Sequence, residues 1–336
     1  MQRAGQNHRS GMTLLELLLV MMILGMVLGT GVGIFASLDF GKRQARGYVK
    51  NALRSAQNSA IHRQAPARIH IDRERGVLTA EAMQVVGTWR FEGQSLAGAL
   101  GLGGVLSGGA RFVEDGFLGD GLYLSGVAGT QAEIPVQTDP AFDFRAGFSI
   151  ECALRRGGTG GGQAVVVGNI AGLDVGNDGR LRGWFIPRIV EKGEQKPGGR
   201  VLVESEPGLA RPDEWLRVRL EYDRSALTLT ADGVPVASLD ETAEVWDLDL
   251  PMLLSGKGFP FEGTLDDLVI ACVVASDEVP LPETVRFGAD TPSDVWFAAG
   301  GGLDPARHAA PVVLTLEYED GQRESLFVGA YGTVDG

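Results

Sequence analysis

Gly147-Phe-Ser-Ile-Glu-Cys-Ala-Leu154 decides how the body of this chain is read. Phe148, Ile150, Cys152 and Leu154 alternate with Ser149, Glu151 and Ala153, the period of a strand with one buried and one wet face. The alternation returns at Leu227 and Leu229 with their threonines, and Asp232-Gly233 and Asp178-Gly179 supply tight hairpin turns. The 336 residues include 49 glycines, and aromatic and β-branched residues fall in short runs between glycine-rich turns. That pattern predicts an all-β body of two stacked antiparallel sheets.

The chain begins differently. Met12-Thr-Leu-Leu-Glu16-Leu-Leu-Leu-Val-Met-Met-Ile-Leu-Gly25 opens an apolar run with no charge between Leu17 and Ala36, 20 residues in all. At roughly 1.5 Å per residue that run spans the ~30 Å hydrocarbon core of a bilayer. A lone carboxylate there costs on the order of 2.5 to 3.5 kcal/mol at the bilayer centre, so Glu16 asks for a cation. Arg3 and Arg9 hold the N-terminus in the cytoplasm and send everything after residue 36 across the membrane. A cleaved secretory signal fits less well, because the run is long, carries a glutamate and ends without Ala-x-Ala.

This arrangement resembles the class III signal of type IV prepilins and type II secretion pseudopilins. The resemblance implies cleavage by a prepilin peptidase after Gly11, a methylated new N-terminus at Met12, and a Glu16 that meets a neighbouring subunit's terminal amine. Two opposite charges about 4 Å apart at an effective dielectric near 20 attract by roughly 4 kcal/mol, enough to offset the insertion cost. Gly25 falls where pilins commonly carry glycine, and with Gly29 and Gly33 it forms a small-residue ridge suited to close helix packing. Two departures stand out: Met12 replaces the more usual Phe, and Gly33 stands where many pilins have proline. The implied partners are the peptidase, other pseudopilins or pilins and an inner-membrane assembly platform.

The formal net charge of -13 argues against nucleic acid as a partner. Lys42, Arg43, Arg46, Lys50, Arg54 and Arg63 nevertheless crowd the segment just outside the membrane, where anionic headgroups are the simplest explanation. Within it Ala45, Val49, Ala52, Ala56 and Ala60 recur at helical spacing, which predicts an amphipathic stem stopped by Pro66. Ala67–Asp72, the turn at 73–76 and Val77–Ala80 read as a hairpin. Stem and hairpin together resemble GspH/FimT-type minor pseudopilins. The continuation of that small domain is read far downstream, in Thr284–Phe287, Asp294–Phe297, Val312–Tyr318, Ser325–Val328 and Gly332–Val334.

Between the two halves lies a stretch that resembles a laminin G-like, concanavalin A-like jelly roll. The resemblance rests on Thr88–Phe91, Asp115–Gly126, Ala132–Pro135, Gly147–Leu154, Asn177–Leu181, Glu214–Asp223, Leu227–Ala237 and Phe261–Ile270, in the family's order. The expected fold is therefore α+β: a leader (1–11), a transmembrane helix (12–36), an amphipathic stem (37–65) and a small antiparallel pseudopilin domain (66–84 plus 276–336). An all-β jelly roll (85–275) interrupts the last of these.

Chemistry is sparse. Glu244-Val-Trp-Asp-Leu-Asp249 and Asp266-Asp267 are the nearest approach to a glycosidase carboxylate pair. On a strand Glu244 would face away from Asp247 and Asp249, and Asp266-Asp267 reads as structural. No catalytic residue is assigned and no Cys/His spacing suggests a metal. Calcium at a rim, through Asp174, Asp178 or Asp266, is the one cofactor the resemblance allows, and no ligand set is assigned to it. Cys152 and Cys272 read as two buried thiols, with a disulfide as the alternative in an oxidising compartment. His8, His62, His70 and His308 read as solvated or locally bonded. Gly157–Gly162 and Glu191–Gly199 read as mobile rim loops without an aromatic platform.

The expected protein is a minor pseudopilin of a type II secretion or type IV pilus-like machine. It would pass the inner membrane once, hold its C-terminal domains in the periplasm and present the jelly roll as a binding module. The alternative is a pilin-anchored adhesin or cargo receptor that takes a glycan or protein ligand.

Overall fold

Small residues bring the stem helix onto a sheet. Ala45, Val49, Ala52, Ala56 and Ala60 are all buried in helix α2 (Phe40–Arg63), as is Leu53, and they form one stripe. The computed structural model describes residues 14–37, 40–63, 65–98, 102–158, 160–276, 278–305 and 307–335. Opposite the alanine stripe lie Ile69, Ile71, Leu78, Ala80, Val295, Phe297, Leu314 and Leu316, which with it make one hydrophobic core. Helix α1 (Leu14–Ser37) precedes α2, and its described side chains, 14, 15 and 17–26, are exposed. Among the described residues no helix is long and apolar enough to cross a membrane.

The hairpin of Ala67–Asp72 and Val77–Trp89 pairs from Ala67 with Ala82 to Asp72 with Val77. Its second strand does not stop at Ala80, as the sequence suggested, but runs for 13 residues. Beyond Glu81 it pairs with the 14-residue strand Glu262–Ala275, Met83 facing Val273 and Trp89 facing Leu268. One 11-stranded sheet therefore crosses the whole body, in the order Val234–Asp240, Ala226–Ala231, Trp215–Tyr222, Phe148–Arg156, Glu262–Ala275, Val77–Trp89, Ala67–Asp72, Asp294–Phe297 along its main path.

Because Gln84 pairs with Cys272 and Ala82 with Val274, Leu78, Ala80, Ala82 and Cys272 share one face of this sheet. Near Leu78 that face meets α2. Beyond Cys272 it meets a second, 7-stranded sheet ordered Val201–Glu204, Leu181–Phe185, Ala171–Val175, Gly162–Val167, Met252–Leu254, Gln131–Ile134, Val105–Ser107. All pairings in both sheets are antiparallel, so the centre of the chain is a jelly-roll-type sandwich.

The predicted alternation accounts for its core. Phe148, Ile150, Cys152 and Leu154 all point inward, and Phe185 stacks on Tyr222 with ring centroids 4.3 Å apart. The two cores share no residue: the helix-backed one draws its buried side chains from 45–82 and 285–328, the sandwich from 86–272. A separate sheet of Val285–Phe287, Val312–Tyr318, Arg323–Val328 and Val334–Asp335 completes the helix-backed core.

Cys152 and Cys272 are free and buried. Desolvation pushes the Cys152 thiol up to about 12 and raises Cys272 as well. A thiol reagent at pH 8 should therefore modify neither cysteine in the folded protein and both after denaturation. Rapid labelling of the native state would contradict this packing.

Candidate functional site

Gly11 and Met12, the expected processing residues, lie outside the described residues. Glu16 and Gly25 fall within α1, and a Cβ placed on Gly25 would have nothing within 4 Å. Gly25 is thus free to be approached closely by another helix.

Where the helix-backed body meets the sandwich, the structure builds an ionic clasp that sequence reasoning missed. Arg68 projects from Ala67–Asp72 on the face away from α2, beside its cross-strand partner Glu81. Its Nε donates to Glu81 Oε2 at 2.6 Å, and both side chains are nearly inaccessible. Its Nη1 donates at 2.6 Å to the backbone carbonyl of Asp223, a sandwich residue in the turn after Trp215–Tyr222. The Asp223 carboxylate accepts from the backbone N–H groups of Ser225 and Ala226, which shapes that turn, and pairs with Arg307 from the helix-backed half. The guanidinium carbons of Arg68 and Arg307 lie 5.0 and 4.0 Å from the ring centroid of Trp296.

Asp294, paired with His70 at 3.0 Å, closes the group. Burial opposes its ionisation, but the His70 hydrogen bond and the Arg68 charge outweigh that and hold its carboxyl below the usual range. The clasp orients the sandwich on its stem. Arg68→Ala should cost about 3 to 5 kcal/mol, because it strands the buried Glu81 carboxylate. A denaturation midpoint within error of the parent protein would show that the pair does not matter.

Two of the six basic residues expected to face headgroups are engaged within the body instead. Lys42 pairs with Asp320 at 2.7 Å and Arg46 with Glu324 at 3.3 Å, tying the start of α2 to the hairpin between Val312–Tyr318 and Arg323–Val328.

Glu244–Asp249 forms no strand; only Val245 makes an isolated bridge, to Pro187. The expectation that Glu244 faces away from Asp247 is corrected accordingly, since both carboxylates reach Arg188, at 3.8 and 2.5 Å. They form an ion-pair cluster around that guanidinium. Asp266 is fully buried and accepts from the Leu118 backbone N–H at 2.7 Å and from Asp267 N–H at 2.6 Å. Asp267 sits at φ 47 within the bulge between Asp266 and Val269, so this pair shapes the strand.

Asp174 and Asp178 belong to the 7-stranded sheet and its turn, far in topology from Asp266. Asp174 accepts from Trp184 Nε1 at 3.0 Å. Among the described residues no group of three or more His, Cys, Asp or Glu could hold a metal ion. His308 Nε2 accepts from the Trp296 backbone N–H at 2.9 Å.

The supposed rim loop at 191–199 is largely a hairpin, Arg188–Glu191 paired with Glu194–Pro197. A pair of aromatic rings lies elsewhere on the sandwich, outside the two expected rim loops. Phe117, partly exposed, meets Trp215 edge-on at 5.7 Å, whereas Trp184, under the Arg200 guanidinium at 3.8 Å, is itself buried.

The comparisons with known proteins bear on both ends of this description. Residues 6–32 match the prokaryotic N-terminal methylation motif. No curated protein matches the chain significantly. Among solved structures, domain 4 of AbnA, a GH43 extracellular arabinanase from Geobacillus stearothermophilus in complex with arabinotriose, is similar at 15% identity and a TM-score of 0.41, over 56% of this chain and 92% of that one. The binding domain of Paraclostridial Mosquitocidal Protein 1 is similar at 13% identity and TM-score 0.45, over 55% and 48%. Mouse laminin alpha1 domains LG4-5 follow at 17% and 0.36, over 47% and 42%. The sandwich assignment rests on strand order rather than on these likenesses. The chain is prepilin-like at its N-terminus and holds a jelly-roll sandwich in its body.

Proposed function

We propose that the chain is a minor pseudopilin of a type II secretion or type IV pilus-like machine. Prepilin peptidase cuts it after Gly11, and it assembles through an N-terminal helix whose Glu16 takes the terminal amine of a neighbour. The methylation motif over residues 6–32 is the observation that carries this reading. The mature chain then crosses the inner membrane once and holds its β-body in the periplasm, or at the surface when the filament extends. The two cores without a common residue support a division of labour, the helix-backed body fitting the filament and the sandwich binding a ligand. The 11-stranded sheet and the Arg68–Asp223 clasp favour rigid presentation of that sandwich over a tethered bead. An adhesin or cargo receptor built on the same anchor is the second reading, favoured by the size of the sandwich relative to the body that bears it.

Glu16 separates assembly from insertion, since a carboxylate in lipid hinders anchoring and helps only where a partner cation is present. Glu16→Ala should still fractionate with the inner membrane yet be depleted about tenfold or more from sheared or cross-linked filament material, the loss of a contact worth at least 1.4 kcal/mol. Undiminished incorporation would remove Glu16 from the assembly contact.

A further inference from the structure

A cavity of about 210 Å³ opens on the outer face of the 7-stranded sheet. Its floor is Val166 and Leu253, cross-strand partners that also pack against Trp184. Gln163, Asn169, Gly256 and Lys257 stand around it.

The surroundings are held in place by several independent features. Gln163 lies at the bulge between Gln163 and Val165; its backbone N–H donates to Phe259 at 2.7 Å and its carbonyl accepts from Gly256 N–H at 3.0 Å. It stands beside its cross-strand partner Asp174, whose carboxylate accepts from Trp184 Nε1 at 3.0 Å. Ser255, fully buried, adopts φ 72, a left-handed conformation that a residue with a Cβ rarely takes, and its Oγ accepts from Phe261 N–H at 3.1 Å. Asn169, also left-handed at φ 57, is exposed at the rim. A Cβ on Gly256 would come within 2.2 Å of Gln163 Oε1, so the loop reaches this position only with glycine.

The chemistry of the lining is selective. It contains two amides, an aliphatic floor and one ammonium, and no carboxylate. Lys257 makes no ion pair among the described residues, unlike Arg180, Arg182, Arg188 and Lys196. Although the whole chain carries a net charge of -13, residues 180–200 hold six Lys and Arg against two Glu. Amides suit vicinal hydroxyls, which offer both donors and acceptors, and an aliphatic floor suits the C–H face of a sugar ring. A lone unpaired ammonium favours a ligand that brings its own anion.

We propose that this cavity binds one unit of an acidic saccharide, its ring on Val166 and Leu253, its hydroxyls on Gln163 and Asn169, and its carboxylate on Lys257. The proposal rests on the reading of the sandwich as a binding module and gives that module a ligand class and a site.

The full chain in detergent, titrated calorimetrically with tetragalacturonate and with its fully methyl-esterified counterpart, tests it. The acidic tetramer should bind at least tenfold more tightly than the ester. Lys257→Gln should bring the acid down to the affinity the parent shows for the ester, and Gly256→Val should remove binding of both. Lys257 lies at the surface, so its variant reads the site even where Gly256→Val fails to fold. Equal binding of the acid by the parent and Lys257→Gln would overturn the site while leaving the binding-module reading intact. Binding of neither tetramer would overturn the ligand class, and the filament experiment on Glu16→Ala is untouched by either result.

Discussion

Gly11→Ala should remain full length when co-expressed with prepilin peptidase, whereas the unaltered chain should lose its first 11 residues and begin at a methylated Met12. The expected effect is close to all-or-none. A peptidase that reads glycine immediately before its cut brings its own groups against the substrate backbone, and a Cβ at that point removes both the space and the conformational freedom. The motif match over residues 6–32 encloses this junction and Glu16 together, the two elements such an enzyme and the later filament would use. Intact mass and N-terminal sequencing decide the matter. An unaltered chain that still begins with Met1 or Gln2 beside active peptidase, or a Gly11→Ala chain cut as fast as the parent, would sink the processing assignment.

The parts of the fold that were legible in the sequence are those with a local period. Phe148 to Leu154 alternates because one face of its strand is buried, and Ala45 to Ala60 recurs at helical spacing because α2 turns one face to the sheet. The two Asp-Gly turns were likewise visible, because their backbone demands are local: Asp232 and Gly233 both take positive φ, as does Gly179.

Features set by distant partners were not legible. The strand from Val77 continues to Trp89 only because Glu262–Ala275 lies beside it, nearly two hundred residues on. Asp223 reads as an ordinary turn residue; its value comes from Arg68 and Arg307, which the chain brings from opposite sides of the sandwich. Glu244 and Asp247 seemed opposed only on the premise of a strand, and the segment instead bends around Arg188.

The central claim, that a pilin-like body bears the sandwich as an insertion, meets its most direct test in excision. Met83 and Val273 are cross-strand partners, so joining them through Asn-Gly closes a two-residue hairpin where the sandwich leaves. The excised piece includes every buried residue of the sandwich core and none of the helix-backed one. Arg68 loses the Asp223 carbonyl but keeps Glu81. Thermal unfolding of the shortened protein, followed by circular dichroism in detergent, should show one cooperative transition and a helix content matching α1 and α2. A chain that is degraded in the cell, or that unfolds without a cooperative transition, would mean that the sandwich is integral to the body.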